Sequence, residues 1–365
     1  MRFEEEFRCF EDSGRILEAI QEMELPETRV MEVCGTHTMS IARSGIRDRL
    51  PKHVKLISGP GCPVCVTPVG VIDEILHLSQ VDGVTLTTYG DLMRVPGSRP
   101  GDDLQHRRAM GADVRVVYSP MDALDIAKGE PNRSVIFLGV GFETTAPGTA
   151  LAVLEAQRQG IENFFLLCLL KQTVPALQAI MAQEDVRVDG FLCPGHVSII
   201  LGADAFRFLA EEHGLAAVVA GFETGDLAAG LYRLLCQRRD GTPRLENEYT
   251  RAVTPEGNTA AQAIIQQVLE PCDDVWRGLG HLPESGWRLR PEFSAFDAAL
   301  RFGFAPKDKE DTAACRCGDV ICGRHGPEEC PMFGKACMPE HPMGPCMVSS
   351  EGACAAAYQY GRLDQ

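Results

Sequence analysis

From residue 29 the chain alternates short apolar, β-branched runs with stretches of helical periodicity, and this rhythm restricts the fold more than any other feature. VMEV (30–33) precedes a helical stretch from about residue 38, and VKLI (54–57) precedes one at 69–78. GVTLTTY (83–89) and DVRVVY (113–118) follow, the second leading into a helix at 121–127. After the polar turn KGEPNRS (128–134) the alternation resumes with SVIFLGV (134–140), a helix at 147–158, NFFLLCLL (163–170), VDGFLC (188–193) and LAAVVAG (215–221). Strands separated by helices pair in parallel, because each crossover lays a helix on a sheet face. The expected class is therefore α/β, with two similar parallel-sheet domains at 27–128 and 129–236. Short echoes suggest duplication: VCGTH (33–37) resembles LCPGH (192–196), and GFETT (141–145) resembles GFETG (221–225).

Beyond residue 236 the rhythm is lost. NTAAQAIIQQVL (258–269) reads as a helix, and 276–304 as irregular strands or hairpins. The stretch 12–24 carries Ile16, Leu17, Ile20 and Met23 at helical spacing and ends at Pro26. Its apolar face needs a partner, so residues 1–26 are grouped with 237–365 as a third, cysteine-rich domain.

With 51 acidic and 35 basic side chains the net charge is −16, which argues against nucleic acid or an anionic membrane as partner. The start, MRFEEEFRCF, is neither a basic leader nor apolar, and no window reaches the ~18 apolar residues of a spanning helix. A cytoplasmic location is the expectation. In that reducing compartment, 15 cysteines read as metal or redox ligands rather than a disulfide framework.

Cys62 and Cys65 lie in SGPGCPVCVTP (58–68), where two glycines free the backbone and prolines stiffen it. Thiols at this spacing close a disulfide or chelate a soft metal, and an exposed pair is within reach of cytosolic reductants. Ordinary core packing does not need such a loop. Cys34 ends a strand and precedes a helix, a position whose N–H groups favour thiolate, and His37 follows three residues on. Glu143 and His196 also fall at strand ends, where open α/β sheets bind ligands. Helix capping is the competing role for the Glu and Thr residues of the GFET segments. Neither G-x-G-x-x-G nor G-x-x-x-x-G-K-[ST] occurs in the sequence.

Residues 315–354 hold seven cysteines: Cys315, Cys317, Cys322, Cys330, Cys337, Cys346 and Cys354. The last four are 7, 9 and 8 residues apart, wider than the paired ligands of zinc knuckles, which favours an iron–sulfur cluster over zinc.

At these residues the sequence resembles the HypD family of [NiFe]-hydrogenase maturation proteins. The matching pieces are CGTHT (34–38), GPGCPVC (59–65), TYGDLMRVPGS (88–98), VVYSPMDAL (116–124), GFETTAPGTA (141–150), CPGHVS (193–198) and the cysteine-rich run at 330–356. The resemblance implies two α/β domains, a third domain with a [4Fe-4S] cluster, and a complex with a HypC-type small chaperone. On that complex an iron is expected to receive cyanide, delivered by a HypE-type donor, and carbon monoxide. It further implies iron binding at Cys34, redox activity at Cys62 and Cys65, and cluster ligation by Cys330, Cys337, Cys346 and Cys354. Glu351 sits in the matching SSEG. The expected function is a redox-active assembly scaffold rather than a stand-alone enzyme. The rivals are a cluster-dependent protein-disulfide reductase, which has no need of Cys34, and a zinc-stabilised binding module, which leaves Cys62 and Cys65 unexplained.

Overall fold

A computed structural model describes residues 10–99, 101–307, 309 and 314–361. Two parallel sheets organise them. The first has the order β2–β1–β7–β8–β9: Val54–Ser58, Thr28–Glu32, Gly190–Pro194, Ala216–Ala220 and Leu245–Asn247. The second has the order β4–β3–β5–β6: Val114–Val116, Val84–Thr88, Ser134–Gly141 and Phe164–Leu170. The α/β class with two parallel sheets is as expected from the alternation.

The expected boundary between residues 128 and 129 does not divide the sheets. The chain lays down β1 and β2, leaves to build the whole second sheet, then returns to complete the first. Val30 of β1 registers with Leu56 of β2 on one side and with Gly190 of β7 on the other. A strand that is apolar on both faces accepts any equally apolar neighbour, so order along the chain does not specify order in the sheet. The two C-x-x-H echoes thereby become neighbours: Val33 N–H donates to Leu192 O across β1 and β7.

The third expected domain has no core of its own. Leu17 and Ile20 of the first described helix, Phe10–Gln21, and Met23 just beyond it pack with Val30 and Val218 of the first sheet and with Ile41 and Leu231 of the helices that cover it. The helix expected at 258–269 is Thr259–Val268, and an antiparallel hairpin follows it, β10 (Leu269–Trp276) and β11 (Gly280–Leu289). Ile265, Leu269, Leu289 and Phe293 of this region cover the second sheet beside Phe137 and Phe164. The cysteine-rich tail is small and poor in large apolar side chains, too little to bury a separate interior. Instead Val320, Cys322, Cys346 and Met347 enter the core that joins Met31 and Phe191 of the first sheet to Leu86 and Ile136 of the second. No helix among the described residues is long and apolar enough to cross a membrane.

A buried ion pair ties the hairpin to the second sheet. Lys171, just past β6, bridges to Gly286 through the backbone, and its Nζ lies 2.6 Å from Asp274 Oδ2 and 2.9 Å from Val275 O. Only 3% of its side chain is exposed, and burial pulls the ammonium pKa down despite Asp274. Asp274→Ala strands that ammonium and is expected to lower stability by about 3–5 kcal/mol in guanidinium unfolding. Lys171→Met combined with Asp274→Leu should recover much of the loss.

Candidate functional site

The carboxyl ends of strands from both sheets open into one cleft of about 260 Å³. Val33 and Cys34 follow β1, Gly61, Pro63 and Val64 follow β2, and Tyr89 to Leu92 follow β3; Phe142, Thr144 and Thr145 follow β5. His196 follows β7, and Ser349 and Glu351 close the cleft from the tail. Ligands gather at this end of parallel strands because loops and helix N-termini converge there with free N–H groups.

Cys34 caps the helix Gly35–Ser44, and two glycines hold it in place. Gly35 N–H donates to Gly61 O at 3.0 Å. A Cβ on Gly61 would lie 2.5 Å from the Cys34 nitrogen and 2.6 Å from its Cα. A Cβ on Gly35 would lie 2.3 Å from Glu351 Cβ and 2.6 Å from Glu351 O. Three distant segments thus meet backbone to backbone at Cys34, where no side chain fits between them.

The thiol departs from the expectation that its position favours thiolate. Burial, reinforced by the Glu351 charge, pushes its pKa up to about 12, against the pull of the His37 and Thr36 N–H groups. Desolvation outweighs the helix terminus, so free Cys34 keeps its proton.

Cys62 and Cys65 form a disulfide, with their Cα atoms 5.2 Å apart. They are not an exposed pair: Cys62 is 5% and Cys65 0% exposed, behind the cleft wall made by Pro63 and Val64. Ser349 Oγ lies 3.3 Å from Cys62 Sγ.

His37 does not line the cleft. Its ring is fully buried, its Nε2 lies 3.1 and 3.0 Å from the Ala220 and Gly221 carbonyls, and burial lowers its pKa to about 4. A donor shared between two carbonyls fixes the Nε2–H tautomer and anchors the helix to the end of β8. What His37 gives Cys34 is its backbone N–H. His196, by contrast, does line the cleft, stacked on Phe222 with ring centroids 3.8 Å apart.

Glu143 is also withdrawn. It is 2% exposed, and its carboxylate accepts from the Thr173 N–H and hydroxyl, both at 2.7 Å, capping the helix Thr173–Met181. Burial raises its pKa. The neighbours Thr144 and Thr145 line the cleft instead.

Glu351 reaches the cleft, accepting from the Thr36 hydroxyl at 2.7 Å. Asp91, absent from the candidate residues named from sequence, holds it there. Asp91 Oδ2 accepts from Ser349 Oγ at 3.1 Å, Ser350 N–H at 3.2 Å and Ser350 Oγ at 2.8 Å. Its place in TYGDLM was the available signal, but nothing local to that segment announces a partner some 260 residues away.

Cys330, Cys337, Cys346 and Cys354 line a single small cavity, and Cys315 and Cys317 join them. Cys346 and Cys354 Sγ are 3.2 Å apart. Cys322 lies apart, fully buried, with its pKa pushed up to about 12 by burial. Among the described residues no three His, Cys, Asp or Glu side chains converge as ligands of one ion. Apart from Arg316 the cavity wall carries sulfur and apolar groups, with no carboxylate or imidazole, a soft donor set that fits an iron–sulfur cluster.

The family described as "HypD: Hydrogenase formation hypA family" matches residues 12–361. Hydrogenase maturation factor HypD of Cupriavidus necator is 45% identical, covering 100% of this chain and 98% of the relative. The Escherichia coli K12 protein of that name is 43% identical over 99% of this chain and 98% of its own length. That of Rhizobium leguminosarum is 47% identical over 91% and 88%.

Asp91→Ala leaves three donors of the Ser349–Ser350 turn unpaired. It is expected to cost about 1–3 kcal/mol and to speed amide hydrogen exchange at residues 349–352, while exchange in β1 and β7 stays slow.

Proposed function

Because the chain belongs to the HypD family of hydrogenase maturation factors, we propose that it is an assembly scaffold that holds iron at Cys34 while cyanide and carbon monoxide are attached. One observation carries this reading: a single thiol stands in the wall of a cleft, with a carboxylate beside it, an imidazole in the same cleft and a disulfide behind the wall. A buried thiol with a pKa near 12 exchanges its proton for a metal cation rather than for solvent. One thiolate leaves iron positions free for diatomic ligands and for a sulfur from a partner. Glu351 offers a neighbouring acceptor for the released proton, its own pKa raised by burial.

Four of the six cysteines around the tail cavity would hold a [4Fe-4S] cluster, with Cys330, Cys337, Cys346 and Cys354 as the expected set. When bound, the cluster supplies electrons singly. The Cys346–Ser349 segment runs from that cavity to within contact of Cys62. Reducing the Cys62–Cys65 disulfide to two thiols takes two electrons and two protons. Burial shields the pair from bulk thiols, and the Cys346–Ser349 segment is what separates it from the residues that would hold the cluster.

The partners in this reading are a HypC-type small chaperone, which shares the iron, and a HypE-type cyanide donor, all in the cytoplasm. A protein-disulfide reductase is the weaker alternative. It must present a nucleophilic thiol to a substrate, and neither Cys62 nor Cys65 is accessible.

Cys34→Ala is expected to keep the fold and the cluster absorption but to lose the infrared stretches of iron-bound cyanide and carbon monoxide in the co-purified partner complex. Cys168→Ala, in β6 on the face away from the cleft, should retain both. Undiminished bands in Cys34→Ala would place the iron elsewhere. Cys337→Ala should bleach the broad visible absorption of anaerobically purified protein, and zinc without iron or sulfide in the native protein would refute the cluster.

A further inference from the structure

We infer that Phe222 is a positioning residue that sets the His196 imidazole to hydrogen-bond an anionic, metal-bound diatomic ligand in the cleft; this deepens, and rests on, the proposed iron site at Cys34. The Phe222 ring stands between two histidines. His196 stacks on it at 3.8 Å with planes 25° apart, and His37 lies 4.9 Å away, tilted by 37°. Tyr249 meets it edge-on at 5.9 Å, with planes 87° apart. The backbone just before the ring is pinned, since His37 Nε2 binds the carbonyls of Ala220 and Gly221. From the other side, Gly195 lets the helix that carries His196 press close. A Cβ there would lie 3.3 Å from Phe222 Cε2, 3.1 Å from Tyr249 Cδ1 and 2.4 Å from Ala220 O. The helix bearing Cys34 therefore determines, through His37 and Phe222, where the His196 ring lies.

The chemistry of the cleft gives that placement a purpose. Asp91 and Glu351 make its wall acidic, which is unfavourable for an anion. His196 carries the one side-chain nitrogen among the described residues that line it. Stacking on Phe222 covers one face of the imidazole and leaves its edge, with both nitrogens, free to turn to the cleft. An N–H there complements the terminal nitrogen of metal-bound cyanide, whereas carbon monoxide, a far weaker acceptor, gains little.

The test compares Phe222→Leu, Phe222→Tyr and His196→Gln by two readouts. One is the His196 ring-proton shift in partner-free protein; the other is the infrared spectrum of the co-purified complex. Phe222→Leu should remove the ring-current shielding of His196. It should also move the cyanide stretches in the same direction as His196→Gln, with the carbon monoxide stretch and visible absorption nearly unchanged. Phe222→Tyr should restore both to wild-type values. If Phe222→Leu does not fold, Phe222→Met carries the same comparison. Unchanged cyanide stretches in Phe222→Leu or Phe222→Met overturn the inference, whether or not the ring protons shift. Loss of the iron bands from wild type, or their persistence in Cys34→Ala, overturns the iron site itself. The ring-proton result, which needs no iron, separates that failure from a failure of the stacking.

Discussion

The approach of three chain segments around Cys34 is the contact on which the rest of the site depends. Gly61 presses on the Cys34 backbone and Gly35 presses on Glu351, each at a distance where even a methyl group would collide. With no side chains between them, the end of β1, the loop after β2 and the tail share one small volume. The thiol, the disulfide and the carboxylate are brought together by that absence of bulk. Asp91 then fastens the tail from the second sheet through three donors on Ser349 and Ser350. Both sheets and the tail thus each hold part of the site.

Burial sets the chemistry of these groups more strongly than local position does. Cys34 sits where a helix begins, yet desolvation overrides the terminal N–H groups and keeps the thiol protonated. The same cost holds His37 neutral, and its ring serves as an anchor between the Gly35–Ser44 helix and β8. Glu143 spends its carboxylate on a helix terminus and so leaves the adjoining threonines to the cleft. In each case a residue type suited to catalysis is settled by what surrounds it in space.

The interleaved sheets explain why the parts depend on one another. Since β1 pairs with β2 on one side and with β7, from beyond residue 189, on the other, the second sheet is an excursion between two halves of the first. The Phe10–Gln21 helix and the hairpin region each cover a sheet, and the tail fills the core between them. The cysteine-rich cavity consequently lies one short segment from the disulfide rather than in a separate lobe.

The sequence alone determined what depends on near neighbours along the chain. The alternation of apolar runs and helical stretches specified a parallel α/β fold, and the helix at 69–78 agrees with Val69–Leu78 to the residue. The cysteine spacings, the Gly/Pro loop and the strand-end positions of Cys34 and His196 were equally legible, because each is a pattern within a few residues. Only the tertiary structure decided which strands adjoin, what covers each sheet, that Cys315 and Cys317 join the tail cavity, and that Asp91 holds Glu351 in place. Each rests on contacts beyond the reach of local periodicity, the longest of them spanning 150 to more than 300 residues, such as Thr36 with Glu351 and Arg29 N–H with Asp189. Local periodicity carries no information about such pairs, since hydrophobic burial selects for apolar partners without naming which ones.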